Sequence, residues 1–169
     1  MYSTELALFD RHITLEILDT AGIDEFPVMR RLAIARGDAF LIVYAVNDAS
    51  SFEIAGQLRK LVYEIKGDLV TGPIPMVIVG NKCDVGNHLR EISRESAETI
   101  VRDQWESQLI ETTCHERESV FNAFHLLLHM ANINLTLTAT DVTRRSSDPN
   151  LSAHKEHRST NKRQSCAQQ

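Results

Sequence analysis

Asn81, Lys82 and Asp84 carry the most specific chemistry in the sequence, spaced N-K-x-D directly after the apolar run Met76-Val-Ile-Val-Gly80. An ionised aspartate accepts two hydrogen bonds from adjacent N–H donors, and the N1–H and 2-amino edge of guanine presents that pair while a lysine stem covers the ring. Adenine lacks it. The competing reading is an ordinary polar loop, because three fixed positions in a tetrapeptide arise by chance on the order of once in fifty chains of this length. A second candidate is Asp19-Thr-Ala-Gly22. Its carboxylate can hold the water shell of Mg²⁺, and the Gly22 N–H can approach a terminal phosphate without side-chain obstruction. An aspartic protease also presents Asp-Thr-Gly, but here Ala21 intervenes, no second triplet occurs and the chain is short for that fold.

The elements that must position these residues are legible from pattern. Met76 to Val79 is β-branched and apolar after two prolines, as in a strand buried on both faces, and Gly80 ends it. Ligands of open α/β sheets bind beyond the carboxyl ends of such strands. Thr4–Phe9 and Ile13–Asp19 read as a hairpin turning at Asp10-Arg-His12, with Ile13, Leu15 and Ile17 on one face. Pro27 and Gly37 bracket a helix through Val28–Ile34, and Ala39–Val46 is a second strand expected to be buried on both faces. Ser50 and Glu53 have capping-box spacing ahead of Ile54, Leu58, Leu61, Val62 and Ile65, and Gly67 closes that helix. Ser93 opens another, with Ala97, Ile100, Val101 and Trp105 inward. Gln108–Thr112 is a short strand, and Val120, Ala123, Phe124, Leu127, Leu128 and Ala131 make the face of a last helix. Alternating strands and helices imply an α/β fold with a mostly parallel sheet.

With 169 residues, 43% of them apolar, the chain can bury one core, expected over 1–133. The net charge of −5 is unevenly spread: residues 134–169 hold six Lys/Arg against three Asp/Glu, leaving an acidic body and a basic tail. An acidic body argues against nucleic acid as a partner. Cys83, Cys114 and Cys166 form neither a metal nor a redox spacing. Cys114-His115 does not read as a metal or nucleophile pair, since adjacent residues point apart and no further ligands converge, and His125 and His129, four apart without the glutamate of a zinc-protease motif, read as solvent-exposed. The start Met-Tyr-Ser-Thr-Glu-Leu lacks the pattern of a signal peptide, so a cytoplasmic location is expected. Beyond a brief alternation in Asn134-Leu-Thr-Leu-Thr-Ala-Thr140, the tail reads as disordered. Cys166 lies fourth from the end behind Lys155, Arg158, Lys162 and Arg163, so prenylation stays open, as does attraction of a soluble tail to the anionic inner leaflet of the plasma membrane.

Asp19-Thr-Ala-Gly22, Asn81-Lys-Cys-Asp84 and Glu111-Thr-Thr-Cys-His115 together resemble the third, fourth and fifth nucleotide boxes of a Ras-family small GTPase. Phe26-Pro-Val-Met-Arg-Arg-Leu32, Gly37-Asp-Ala-Phe40 and Glu64-Ile-Lys-Gly-Asp68 are most similar to the Di-Ras and Dexras/Rhes branch. The resemblance implies a Rossmann-like P-loop NTPase domain with helices on both faces of the sheet, binding GTP or GDP with Mg²⁺. It also implies a molecular switch in signal transduction that meets effectors, exchange factors and GTPase-activating proteins. On it, Asp19 serves Mg²⁺ through water, Ala21 and Gly22 lie at the phosphates, residues 28–34 belong to switch II, and Thr113, Cys114 and His115 donate backbone N–H groups to the guanine carbonyl.

Three departures from the family qualify those expectations. His115 stands where the family has lysine, so an aliphatic stem over the base is lost. Ile23 stands where most Ras proteins carry the glutamine that orients the attacking water, so hydrolysis is expected to be slow. No Gly-x-x-x-x-Gly-Lys-Ser/Thr occurs in the 169 residues, and neither does the switch I threonine, which suggests a domain truncated at its N-terminus. Charged hydrogen bonds contribute about 1.5 to 3 kcal/mol each, so the half-dozen contacts of a phosphate loop amount to roughly 10 kcal/mol, or about seven decades of affinity. The sequence therefore leaves two expectations: a GTPase switch with weak nucleotide binding and slow or absent turnover, or a nucleotide-free interaction protein that occupies Ras-family partners.

Overall fold

A stretch with β-branched residues in series and no polar side chain has no solvent-facing alternation, so it is stable only with neighbours on every side. Met76–Val79 is that stretch and opens the strand Met76–Asn81 (β4) in the computed structural model, which describes residues 2–8, 11–20, 27–67, 69–70 and 72–133. It lies at the centre of a three-stranded parallel sheet between Phe40–Ala45 (β3) and Gln108–Glu111 (β5). Phe40 pairs with Met76 and Ala45 with Asn81, while Val77 pairs with Gln108 and Gly80 with Glu111. The carboxyl ends of β4 and β5 are thereby level.

Helices cover both faces. Ala49–Lys66 (α2) and Arg94–Thr99 (α3) bury Phe52, Ala55, Val62 and Ala97 with Ile42, Tyr44, Met76 and Ile78 of the sheet. Arg117–Met130 (α4) buries Ala123 and Leu127 against Val77 and Val79 on the other face. Pro27–Arg36 (α1) packs beside α2, where the buried Lys66 ammonium donates to the Ala35 carbonyl at 3.0 Å and neutralises the negative end of α1. Among the described residues no helix is long and apolar enough to cross a membrane.

The fold differs from expectation in five places. The hairpin strands are Tyr2–Leu8 (β1) and Arg11–Ile17 (β2), one or two residues ahead of the boundaries expected from the apolar pattern, with Tyr2 opposite Ile17. They form their own two-stranded sheet and pair with no parallel strand among the described residues. Asp48, not Ser50, caps α2: its carboxylate accepts from Ser51 N–H at 3.1 Å, because Ser51 is held to Ala45 and Asp48 by its hydroxyl. After α3 the chain runs on through a π turn, Ile100–Gln104, which brings Trp105 under α2 to stack on Phe52 at 4.9 Å. Finally β3 is not buried on both faces, since Val43 is exposed. Residues 134–169, and with them Cys166, lie outside the described residues.

Candidate functional site

The loop beyond β4 takes its shape from strand ends that are already paired. The Thr112 N–H donates to the Gly80 carbonyl at 2.9 Å, and the Cys83 N–H donates back to the Thr112 carbonyl at 3.1 Å. These bonds lock the two segments together. Gly80 leaves room for the Tyr44 hydroxyl, which would lie 2.9 Å from any Cβ placed there. Lys82 adopts φ 65°, the left-handed turn that reverses the chain, and the Val85 N–H closes the turn on its carbonyl at 3.1 Å. Arg90 and Glu111, both largely shielded from solvent, form an ion pair that ties the far end of the loop to β5.

The segment after β5 is held as firmly. The Ser119 hydroxyl accepts from Thr113 N–H at 3.1 Å and reaches the Glu116 carbonyl at 2.8 Å, so the first turn of α4 fixes residues 113–116. The Thr112 hydroxyl donates to Asn81 Oδ1 at 3.3 Å, and Asn81 Nδ2 donates to Cys114 Sγ at 3.6 Å. Asn81 therefore bridges the two loops.

Between the loops lies a cleft of about 310 Å³, lined by Asn81, Lys82, Asp84, Val85, Thr113, Cys114 and His115. That volume is at the lower end of small-molecule sites. The Asp84 carboxyl faces it and is held below the usual carboxylate range, first by a hydrogen bond from the Thr113 side chain and by its own backbone N–H, with His115 adding a smaller attraction. His115 Nε2 is 3.8 Å from Asp84 Oδ2. Asp84 is thus an anion ready to accept from a donor pair. Burial, and then the nearby Glu111, push the Cys83 thiol up, so Cys83 stays a neutral loop residue.

All six residues that the sequence singled out on these two loops converge on the cleft. Val85 also lines it, and Ser119 and Arg90 hold it; the sequence carries no signal for these, since their partners are distant or backbone atoms. Asp19 stands exposed two residues past β2 and is not among the residues that line the cleft. Ala21, Gly22 and Ile23 lie outside the described residues. Among the described residues no three His, Cys, Asp or Glu side chains gather as a resident metal centre would. A single carboxylate such as Asp19 fits the way Mg²⁺ is bound, through one or two carboxylates with waters and substrate phosphates.

Comparison with known proteins joins this geometry to a family. The Ras family model matches residues 1–133. The chain is 38% identical over 117 residues to the GTP-binding protein Di-Ras2 of Mus musculus, covering 69% of this chain and 57% of that protein. It is 35% identical over 133 residues to the GTP-binding protein Rheb homolog 1 of Caenorhabditis elegans, with 79% and 62% covered. To the human GTP-binding protein Rhes it is 35% identical over 124 residues, with 70% and 47% covered. The chain spans about half the length of the curated relatives it matches. Ras-family GTPases are generally Mg²⁺-dependent, and the parallel sheet with helices on both faces is the fold such a domain requires. With the family model spanning 133 of its 169 residues, the chain belongs to the Ras family of small GTPases.

Proposed function

We propose that this chain is a guanine-selective nucleotide-binding switch domain of the signal-transducing kind, in which the base site sets the preference and overall nucleotide binding is weak. The observation that carries the reading is the cleft at the ends of two adjacent parallel strands, in which an ionised Asp84 is flanked by Asn81, Lys82 and the 113–115 turn. Asp84 accepts from guanine N1–H and the 2-amino group, Lys82 lays its stem along the ring, and the N–H groups of Cys114 and His115 face the carbonyl oxygen. Asn81 acts by holding the two loops together. When bound, Mg²⁺ supplies charge neutralisation at the phosphates; Asp19 is the residue that holds its water shell, and Ala21 and Gly22 meet the terminal phosphate. Turnover is slow, because Ile23 cannot orient water.

Affinity is low for the 169 residues as written, since they contain no Gly-x-x-x-x-Gly-Lys-Ser/Thr. Titration with fluorescent GDP and ADP tests the reading. Binding weaker than micromolar, favouring GDP and falling at least tenfold on Asp84→Asn, is expected. Equal binding of both nucleotides, or indifference to Asp84→Asn, would remove the base assignment.

A second reading is favoured by α1, whose Val28, Met29 and Leu32 are all exposed. A helix offering three apolar side chains to solvent is suited to protein contacts, and a chain that keeps this face without a phosphate loop could occupy effectors, exchange factors or GTPase-activating proteins with no nucleotide bound. The basic tail and Cys166 would draw either form to an anionic membrane. Capture of Ras-family partners that persists when GDP is stripped by chelation and dialysis separates the two.

A further inference from the structure

β5 ends at Glu111, and Thr112 extends its pairing by one residue, giving its N–H to the Gly80 carbonyl and receiving the Cys83 N–H on its own carbonyl. Thr113 is the first residue past that ladder, yet it is only 3% exposed. A buried amide with no strand to pair with must find an acceptor elsewhere or cost stability. The acceptor is the Ser119 hydroxyl, 3.1 Å from the Thr113 nitrogen. That hydroxyl has one proton to give, and the carbonyls of Thr113 at 3.1 Å and Glu116 at 2.8 Å both lie within its reach.

Thr113 in turn governs the recognition groups. Its side chain donates to the Asp84 carboxylate, and its peptide leads directly into Cys114 and His115. Ser119 does not line the cleft. It stands in the first turn of α4, a helix fastened to the sheet by Ala123 and Leu127 against Val77 and Val79. Glu116, the N-cap of α4, makes no side-chain capping bond, and the Ser119 hydroxyl ties the helix to the turn instead.

We propose that Ser119 is a positioning residue for base recognition: by fixing the Thr113 peptide it fixes the side chain that aims Asp84, and the preference of the cleft for guanine over adenine depends on it. The inference rests on the guanine reading of the cleft and adds to it a residue outside the cleft. Guanine's adjacent donors need both carboxylate oxygens at once, so a small rotation of Asp84 costs recognition, whereas a lysine stem over the ring serves either purine. Removing the hydroxyl leaves the apolar packing of α4 in place. The loss therefore falls on selectivity and not on the fold.

Ser119→Thr and Ser119→Val present one side-chain shape with and without the hydroxyl, and both are compared with the full 169-residue parent by titration with fluorescent GDP and ADP. Ser119→Val is expected to weaken GDP binding about fivefold, as for one lost hydrogen bond, and to leave ADP binding within about twofold, while Ser119→Thr keeps the parent's preference. Without nucleotide, the Asp84 carboxyl should titrate at higher pH in Ser119→Val than in the parent or Ser119→Thr, with slow amide exchange at Val77 and Ile78 reporting an intact sheet. A purely structural role would weaken GDP and ADP together and leave the Asp84 titration unmoved; that result, or an unchanged preference in Ser119→Val, would overturn the proposal. Should Ser119→Val fail to fold, Ser119→Ala takes its place, and fast exchange of the Thr113 amide in the parent chain overturns the proposal without any variant. Asp84→Asn separates the two levels: if it abolishes the guanine preference while Ser119→Val preserves it, Ser119 alone is misassigned, and if it changes nothing, the base assignment falls and this inference with it.

Discussion

Asp84 and Asp19 each stand just beyond the carboxyl end of a strand, and the two ends are built differently. β4 is flanked on both sides and covered on both faces, with Val77 and Ile78 fully buried, so the residues after it inherit a fixed frame from Thr112, Thr113 and Ser119. Among the described residues β2 has one strand partner, β1, and its Leu15 joins Leu128 and Phe124 of α4. Asp19 follows it and is exposed. A carboxylate can recognise a base edge unaided only where neighbouring elements hold it still, whereas one that serves a hydrated cation tolerates a looser mount, because water completes the geometry.

The sharpest way to break this comparison is to weaken each half equally. Ile78→Ala is expected to cost about 3 kcal/mol in urea unfolding, since a closed core cannot collapse around the cavity, while Leu15→Ala at the half-buried hairpin contact costs about 1 kcal/mol. Equal losses would mean that hairpin and parallel sheet share one core after all.

A smaller effect tests how tightly β4 is framed. Gly80→Ala drives a Cβ to 2.9 Å from the Tyr44 hydroxyl and 3.3 Å from a Val46 methyl, an overpacking expected to cost about 1 to 3 kcal/mol. The Tyr44 hydroxyl is itself buried with no hydrogen-bond partner among the described residues, so Tyr44→Phe alone is expected to be neutral or slightly stabilising, and the double variant should lose less than Gly80→Ala does. Burial first, and then Glu111, push the Tyr44 hydroxyl up to about 12. Its folded value thus exceeds the unfolded one near 10, so this contribution is complete below about pH 10 and is lost as pH rises through 12. Alkaline unfolding curves for wild type and Tyr44→Phe should diverge in that window.

The smallest effect sharpens the comparison at Asp84. Its carboxyl is depressed in the folded chain, so the stabilisation it receives is present above the unfolded carboxylate value near 3.9 and is lost as pH falls through its lower folded value. The Asp84 carboxyl resonance in a pH titration should therefore move at lower pH than that of an unstructured aspartate, and Thr113→Val, which removes its first hydrogen-bond partner, should bring the midpoint back toward the ordinary range.

How far the molecule was legible depended on the range of the forces involved. Local signals reported local structure: Ser93 caps α3 by accepting from Ser96 N–H at 3.2 Å, Pro27 begins α1, and Gly37 receives its end. The capping box at Ser50 misled because a rival cap two residues earlier was stabilised from outside the helix, by the hold of Ser51 on β3. Val43 misled for a related reason: an apolar run states that a strand can be buried on both faces, not that a helix arrives to bury it.

The sequence alone determined the chemistry of the cleft, since the N-K-x-D spacing sets which donors and acceptors follow β4, and it determined the apolar runs that make a parallel sheet. The tertiary structure decided the rest. Only the level ends of β4 and β5 bring Thr113, Cys114 and His115 across to Asp84, and only the uneven cover of α4 leaves Val43 exposed on the face of β3, because both depend on how separate elements are stacked and not on what any one of them contains.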